Sequence, residues 1–196
     1  MIVFKNKLYF NATGDLWVYD GTNAPSKVTN GIAVNKCTSD ARKSGFAILN
    51  NKLYFNGNDG TTGNELWVYD GTNTPRLVAD INAGGGSSNP CDITVFNDQL
   101  YFYAMNIGVT GEEIWVYDEN DGASLVADIN PGAANGDPEY PALFADSLYW
   151  EVTNGTGARV IYRIRRVLPP GTPVPIMPVW MIVFLGGLLG FFALRR

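Results

Sequence analysis

A four-residue motif recurs four times along this chain, about every 45 to 48 residues. Its copies are Lys7–Phe10, Lys52–Phe55, Gln99–Phe102 and Ser147–Trp150. Chains with an internal period of this length fold as arrays of similar small units, because one unit cannot bury its apolar face alone. The repeat therefore constrains the fold more strongly than any other feature of the sequence.

Two further elements repeat in the same register. The first begins with an acidic residue, carries a tryptophan and ends in aspartate. It occurs at Asp15–Asp20, Glu65–Asp70 and Glu113–Asp118. The other, Leu77–Asn82, returns as Leu125–Asn130. Matches of this length at one spacing indicate duplicated units rather than chance.

The composition of each unit predicts strands. Short apolar and aromatic runs are bounded by Asn, Asp and Gly, which tolerate tight turns. In the second unit we expect strands near residues 46–49, 52–57, 65–70 and 76–81. Asn50–Asn51 and Asn97–Asp98 are expected to form two-residue hairpin turns. Four short antiparallel strands per unit is the layout of a β-propeller blade, so the predicted body is all-β.

The second unit carries a resemblance to known repeats. Leu-Tyr-Phe, a turn rich in Asn and Gly, and Glu-Leu-Trp-Val-Tyr-Asp-Gly-Thr follow one another between Leu53 and Thr72. This order resembles the bacterial repeat written E-L-W-x-x-D-G-T and, more distantly, kelch repeats. The resemblance implies a β-propeller-like array of four-stranded blades that binds or displays rather than catalyses. Its units lie near residues 1–30, 46–83, 93–131 and 142–166.

The number of blades is expected to be incomplete. The fourth unit has Arg159–Arg163 where the others carry their tryptophan motif, and the first unit is already in strand register at Met1. Four units is also the lower limit for a closed propeller. We therefore expect about four units of an incomplete or truncated propeller.

Six repeated aromatic residues are expected to pack between blades, since a repeat must bury its face against its neighbours. They are Tyr9, Tyr54, Tyr101, Trp17, Trp67 and Trp115. A sugar-binding platform made by the three tryptophans is the alternative interpretation.

Composition excludes several kinds of chemistry. The chain has no histidine, so it can hold neither a Ser-His-Asp relay nor a histidine metal ligand. All 19 acidic residues lie within residues 1–151, and such an acidic body argues against nucleic acid as a partner. We expect no enzyme activity, no metal and no cofactor.

The repeated carboxylates are candidates for catalytic groups. Asp20, Asp70 and Asp118 recur in register, whereas a catalytic pair is needed only once. The Asp-Gly-Thr step is therefore expected to be an Asx turn that closes a hairpin. A carbohydrate-active propeller enzyme, with two unrepeated carboxylates in a pocket, stays open as an alternative.

The two cysteines, Cys37 and Cys91, both lie in loops that lead into the first strand of a unit. In adjacent blades they could be near enough to form a disulfide, which suits an oxidising compartment. Two unpaired thiols are the equally open alternative.

The last 30 residues differ in character. Residues 167–175 form a proline-rich linker, and residues 176–196 an apolar segment ending in Arg195 and Arg196. Counted from residue 174, the apolar run is long enough to span a bilayer as a helix, and the two arginines would stop it at the interface. We therefore expect one C-terminal transmembrane helix, through which the chain meets the membrane.

This tail resembles the C-terminal sorting signals that exosortases process in Gram-negative bacteria, in particular the subclass named IPTL-CTERM. The motif residues are Val174, Pro175, Ile176, Met177, Pro178 and Trp180. The resemblance implies an exosortase-type processing enzyme as a partner, transient anchoring in the inner membrane with the body on the periplasmic side, and display at the cell surface. Export needs a signal peptide, and Met1–Phe4 is not one, so a truncated start is expected.

These observations predict a non-catalytic, surface-exposed binding or adhesion module. Its ligand, a protein or a glycan, is not named by the sequence. A cytoplasmic scaffold held by an ordinary tail anchor is the third hypothesis, since Arg residues on both sides of the helix leave the orientation open.

Overall fold

The computed structural model describes residues 1–35, 37 and 45–166, and every regular element among them is a β-strand. The first sheet contains β1 (Ile2–Phe4), β2 (Lys7–Ala12), β3 (Asp15–Tyr19) and β4 (Ser26–Lys27). The second contains β5 (Ala33–Val34), β6 (Phe46–Leu49), β7 (Lys52–Asn58), β8 (Glu65–Tyr69) and β9 (Arg76–Ala79). The expected all-β class is therefore confirmed for this part of the chain.

The third sheet contains β10 (Cys91–Phe96), β11 (Gln99–Asn106), β12 (Gly111–Asp118) and β13 (Gly122–Ala127). The fourth contains β14 (Glu139–Phe144), β15 (Ser147–Thr153) and β16 (Arg159–Arg165). All pairings are antiparallel and join neighbours in sequence, except that β5 pairs with β7 beside β6. Within the described residues, the fourth sheet lacks the fourth strand that the first and third contain.

Two-residue turns join β6 to β7 in the second sheet and β10 to β11 in the third. Asn50 and Asn51 have φ values of 47° and 58°, and Asn97 and Asp98 have 52° and 58°. A type I′ turn needs positive φ at both central positions, which Asn and Asp tolerate better than other side chains. Both predicted hairpin turns are confirmed.

Strand register gives each sheet two different faces. In the second sheet, Leu53 lies opposite Tyr69, and Phe55 lies opposite Trp67. These side chains form the face that packs on the preceding sheet, which we call the backward face. Tyr54 lies opposite Val68, and this forward face packs on the third sheet. The same alternation in the other sheets stacks all four in chain order.

Three buried clusters hold the stack together, one at each junction between neighbouring sheets. Aromatic pairs cross the first two junctions: the rings of Tyr9 and Tyr69 are 6.0 Å apart, and those of Tyr54 and Tyr117 are 5.6 Å apart. Burying one such large side chain stabilises by roughly 1.5–3 kcal/mol. Contacts between sheets are therefore a main source of stability.

Within residues 1–35, 37 and 45–166, no helix has the length and apolar character needed to cross a membrane. The linker at 167–175 and the apolar segment at 176–196 lie outside the described residues.

Candidate functional site

One repeated acidic side chain is fully buried, the glutamate that begins the tryptophan strand in the second and third units. Glu65 is fully buried at the start of β8. Its Oε2 accepts hydrogen bonds from the Ile81 amide (3.0 Å) and the Ser88 hydroxyl (2.5 Å), and its Oε1 accepts one from the Ser88 amide (2.9 Å). Burial raises the pKa of Glu65, and the donors at Ser88, Ile81 and Asn82 oppose that rise.

Glu113 occupies the same place in the third sheet. It is also fully buried and accepts hydrogen bonds from the amides of Ile129 (3.2 Å) and Asn130 (3.1 Å). Gly136 stands where the second unit has Ser88, so no hydroxyl is supplied there. Burial raises the pKa of Glu113 to about 7, against the pull of backbone donors and with a smaller contribution from the charge of Asp128.

Both glutamates bind the connector that carries the chain from one sheet to the next. We call residues 80–90 the second connector and residues 128–138 the third connector. The far side of each is tied to the following sheet: the Met105 amide donates to the Ser88 carbonyl at 2.8 Å, and the Thr153 amide to the Gly136 carbonyl at 2.6 Å. Each glutamate therefore fixes a segment that also hydrogen-bonds to the next sheet.

Glycines allow the two connectors to lie directly against the sheet. Gly63 and Gly111 have φ values of 73° and 68° and lie two residues before the buried glutamates. A Cβ at either position would collide with the carbonyl group of Gly86 or Ala134, respectively. Only glycine fits both the conformation and the close approach.

The first junction uses different groups for the same purpose. Asp15, at the corresponding place in the first sheet, is only half-buried and forms an ion pair of 2.8 Å with Lys27. The hydroxyl of buried Thr29 accepts a hydrogen bond from the Leu16 amide at 3.0 Å. The chain from Lys27 to Thr29 is thus held to the first sheet by a hydroxyl and a more exposed ion pair.

The repeated aspartates after the tryptophan strand close turns, as predicted. Asp70 Oδ1 accepts hydrogen bonds from the amides of Thr72 and Asn73, each at 2.8 Å. Asp20 and Asp118 accept the equivalent pairs of amides. Hydrogen bonds from the asparagine three residues later, followed by backbone donors, lower the pKa of Asp20 and of Asp70 to about 2.

The six predicted core aromatics occupy two kinds of environment. Four are buried at junctions between sheets: Tyr9, Tyr54, Tyr101 and Trp67. Trp115 is partly buried against the cluster between the second and third sheets, and Trp17 is half-buried on the backward face of the first.

Cys37 and Cys91 lie close together, and the structure joins their sulfur atoms. Their Cα atoms are 5.2 Å apart, within the usual range for a disulfide. Cys91 begins β10 and is buried. The bond therefore links the segment between β5 and β6 of the second sheet to the third sheet.

The predicted sorting residues are outside the described residues. These are Val174, Pro175, Ile176, Met177, Pro178, Trp180, Arg195 and Arg196. Their roles stay predictions.

Sequence reasoning noticed Glu65 and Glu113 but missed their partners. The signal that locates the partners is a repeat longer than the motif itself. Asp80-Ile81-Asn82 is followed by Ser88 and then by a proline two residues later, and Asp128-Ile129-Asn130 is followed at the same spacing by Gly136 and a proline. Alignment of both connectors through these prolines would have placed a small residue beside each buried carboxylate.

Chemically, the arrangement is suited to support rather than reaction. The carboxylates of Glu65 and Glu113 are fully buried and occupied by backbone or hydroxyl donors. Among the residues that the structure describes, no group of three or more His, Cys, Asp and Glu side chains is arranged to hold a metal ion.

No family model matches this chain, and neither curated proteins nor solved structures gave a match.

Proposed function

We propose that this chain is a non-catalytic binding or adhesion module of the E-L-W-x-x-D-G-T repeat type, with propeller-like blades. Support comes from the order of the sheets, each a meander of consecutive antiparallel strands, and from their face-to-face stacking in chain order. Stacked four-stranded meanders are the building principle of propellers. The array would present its loops and turns to a protein or glycan ligand.

The observation that carries the proposal is the use made of the repeated acidic residues. Glu65 and Glu113 bind connectors, while Asp20 and Asp70 bind turn amides. Because these carboxylates are hydrogen-bonded to the backbone and stabilise the fold, we assign them a structural and not a catalytic role. Recognition is then assigned to exposed positions that differ between units.

We also propose that the module is exported, anchored transiently in the inner membrane by residues 176–196, and displayed at the cell surface after processing by an exosortase-type enzyme. The tail motif supports this route. The bond between Cys37 and Cys91 adds support, because structural disulfides persist mainly in oxidising compartments.

Export and sorting can be tested in a Gram-negative host that carries an exosortase, with a signal peptide supplied to the full chain. Mass spectrometry of the mature C-terminus should show cleavage near residues 174–180, and Trp180→Ala should reduce it. Val167→Ala, in the linker before the motif, is the matched control. An intact C-terminus at Arg196 in the membrane fraction would favour the ordinary tail anchor instead.

Binding and catalysis can be separated with immobilised polysaccharides. Cells displaying the protein should be retained on a polysaccharide or on a protein-coated surface without releasing reducing sugar. Release of new reducing ends by the purified full-length protein would establish the rival carbohydrate-active enzyme.

A further inference from the structure

Two positions of this chain carry the sequon of N-linked glycosylation, which is asparagine, any residue except proline, and then serine or threonine. They begin at Asn11 and at Asn154, where the sequence reads Asn-Ala-Thr and Asn-Gly-Thr. The pattern is short and often arises by chance, so it has meaning only where the asparagine lies in an accessible surface loop. The surroundings of the two asparagines therefore decide between them.

The first of these asparagines is part of a sheet. Asn11 lies in β2, opposite Leu16 of β3. Its Nδ2 atom donates a hydrogen bond to the carbonyl oxygen of Val34 in β5, and this bond joins the first sheet to the second. An enzyme that attaches a sugar to Nδ2 would have to break that bond and move the end of β2 away from β5. The fold thus uses Asn11 as a structural residue.

The second asparagine lies in the turn between β15 and β16. Asn154 directly follows the last residue of β15, and residues 155–158 are all exposed. Its Oδ1 atom accepts hydrogen bonds from the Thr156 amide (3.0 Å), the Thr156 hydroxyl (2.7 Å) and the Ala158 amide (3.1 Å). This Asx turn holds the side chain by its oxygen atom. The Nδ2 atom donates no hydrogen bond to any residue in the part of the chain that the structure describes.

The threonine hydroxyl groups of the two sequons are also placed differently. Thr156 donates to the side chain of Asn154, so the two side chains that define this sequon lie side by side in the turn. In the other copy, the Thr13 hydroxyl donates to the carbonyl oxygen of Ala12 at 2.7 Å and not to the asparagine. Only the sequon at Asn154 therefore combines an asparagine outside the strands with a hydroxyl group beside it.

We propose that Asn154 is an acceptor site for N-linked glycosylation and that Asn11 is not. The substrate is a sugar whose anomeric carbon is bonded to a pyrophosphate group, as in lipid-linked oligosaccharides and nucleotide sugars. Nδ2 of Asn154 forms a bond to that carbon while the bond from the carbon to the phosphate oxygen breaks. The pyrophosphate leaves with the bonding electron pair, and one amide proton passes to a base of the transferase.

The inference goes beyond the proposed function, because it assigns a covalent modification to one residue of the fourth sheet. Only the place of modification rests on the proposed export: an exported chain meets the lipid-linked donor in the periplasm, whereas nucleotide sugars are found in the cytoplasm. The glycan would add a bulky hydrophilic group at the exposed end of the hairpin formed by β15 and β16.

Modification of the folded chain tests the inference without export. The purified full-length protein, in detergent, is incubated with UDP-glucose and a soluble N-glycosyltransferase that recognises Asn-x-Ser/Thr, and its peptides are analysed by mass spectrometry. Asn154 should carry at least about tenfold more hexose than Asn11, because Asn11 is reachable only when the end of β2 opens locally. Synthetic peptides of residues 7–17 and 150–160 are the matched controls, and both should be modified because neither is held in a sheet.

Substitutions identify the residues used. Thr156→Ala should abolish modification of Asn154, and Thr156→Ser should retain it, because the sequon needs a hydroxyl group. Asn11→Gln should leave the modification of Asn154 unchanged. The two Thr156 substitutions are also made in the peptide of residues 150–160, so that the requirement for the hydroxyl group is measured even if a variant of the whole chain fails to fold.

The source of the sugar is identified in cells. The full chain with a supplied signal peptide is produced in a Gram-negative host that holds both a periplasmic oligosaccharyltransferase with its lipid-linked oligosaccharide and a cytoplasmic N-glycosyltransferase. An oligosaccharide on Asn154 identifies the lipid-linked donor, and a single hexose identifies the nucleotide sugar. Free thiols at Cys37 and Cys91 would show that export has failed, and modification of the purified chain then decides the inference alone.

Four results would overturn the inference. They are an unmodified Asn154 in the folded chain while the peptide of residues 150–160 is modified, no modification of that peptide, equal modification of Asn11 and Asn154 in the folded chain, and an exported chain with its disulfide formed but no glycan on Asn154.

Discussion

The second and third connectors are each held by a glutamate at the same position of the repeat. The surroundings of the two glutamates differ by one hydroxyl group. Glu65 accepts two bonds from Ser88, whereas Glu113 faces Gly136 and relies on backbone amides. Burial raises both pKa values, and that of Glu113 reaches about 7. The difference shows that a repeat can keep its geometry while its electrostatics change. The junction with fewer donors becomes sensitive to pH near neutrality.

The largest expected effect comes from removing the better-satisfied carboxylate. Glu65→Ala should lower the free energy of unfolding by about 3 kcal/mol or more, because the buried donors of Ile81 and Ser88 lose their acceptor and a cavity is left. Urea denaturation of the full-length protein in detergent measures this loss. Glu151→Ala, which removes a partly exposed carboxylate paired with Arg159, is the control and should cost under about 1 kcal/mol. Equal losses in the two variants would contradict a structural role for Glu65.

The second prediction concerns pH. Because the folded-state pKa of Glu113 is about 7 and its ordinary value is 4.5, the unfolded chain releases this proton first as pH rises. The stability that protonated Glu113 provides is complete below pH 4.5 and is lost as pH rises through 7, amounting to about 3 kcal/mol. No histidine titrates in this window.

Denaturation midpoints at pH 5 and pH 8 measure this slope. Glu113→Gln should flatten it, since the amide stays neutral throughout. Glu65, whose pKa is also raised, contributes a slope of the same sign that remains in this variant. A wild-type protein that becomes more stable between these pH values, or a slope in Glu113→Gln as steep as in the wild type, would show that Glu113 is not the group responsible.

A smaller change should make the second connector behave like the third. Ser88→Ala removes the hydroxyl that donates to Glu65 at 2.5 Å and should raise the pKa of Glu65 further. We expect a loss of about 1.5–3 kcal/mol at pH 8 and a smaller loss at pH 5, where the carboxyl is more protonated. Ser124→Ala, at an exposed position of β13, is the control. A loss that is equal at both pH values would mean that the hydroxyl does not act through the charge of Glu65.

The smallest effect is expected at the exposed turns, where Asp70 and Asp118 accept equivalent pairs of backbone amides. Asp70→Ala removes an acceptor for Thr72 and Asn73 in water, so thermal unfolding should shift only slightly. Because the pKa of Asp70 is lowered to about 2, its contribution is present above pH 3.8 and disappears as pH falls through 2. Circular dichroism melts at pH 7 and pH 2 test this, with Asp121→Ala as control. A difference larger at pH 2 than at pH 7 would reverse the predicted sign.

The sequence predicted features that depend on neighbours along the chain. The strands expected near 46–49, 52–57, 65–70 and 76–81 correspond to Phe46–Leu49, Lys52–Asn58, Glu65–Tyr69 and Arg76–Ala79. Turns at Asn50–Asn51 and Asn97–Asp98 follow from local backbone preference, which the residues themselves reveal. The Asx turns at the repeated aspartates were predictable for the same reason.

Features that depend on distant residues were not accessible in this way. The donors to Glu65 come from Ile81 and Ser88, 16 and 23 residues later, and no local pattern links them to the carboxylate. The ion pairs that Arg159 forms with Glu139 and Glu151 on the fourth sheet are of the same kind, because they depend on which residues share a face of the sheet. Register across strands supplied that information.

The most direct test of the account is a carbon NMR titration of the glutamate carboxyl groups in the full-length protein, assigned with Glu65→Gln and Glu113→Gln. The account predicts that Glu113 titrates near pH 7, that Glu65 titrates above its ordinary value of 4.5, and that Glu119, bonded to Lys52, titrates below it. Titration of Glu65 and Glu113 at or below 4.5 would show that burial does not outweigh their hydrogen-bond donors, and it would contradict the pH dependence assigned to the third connector.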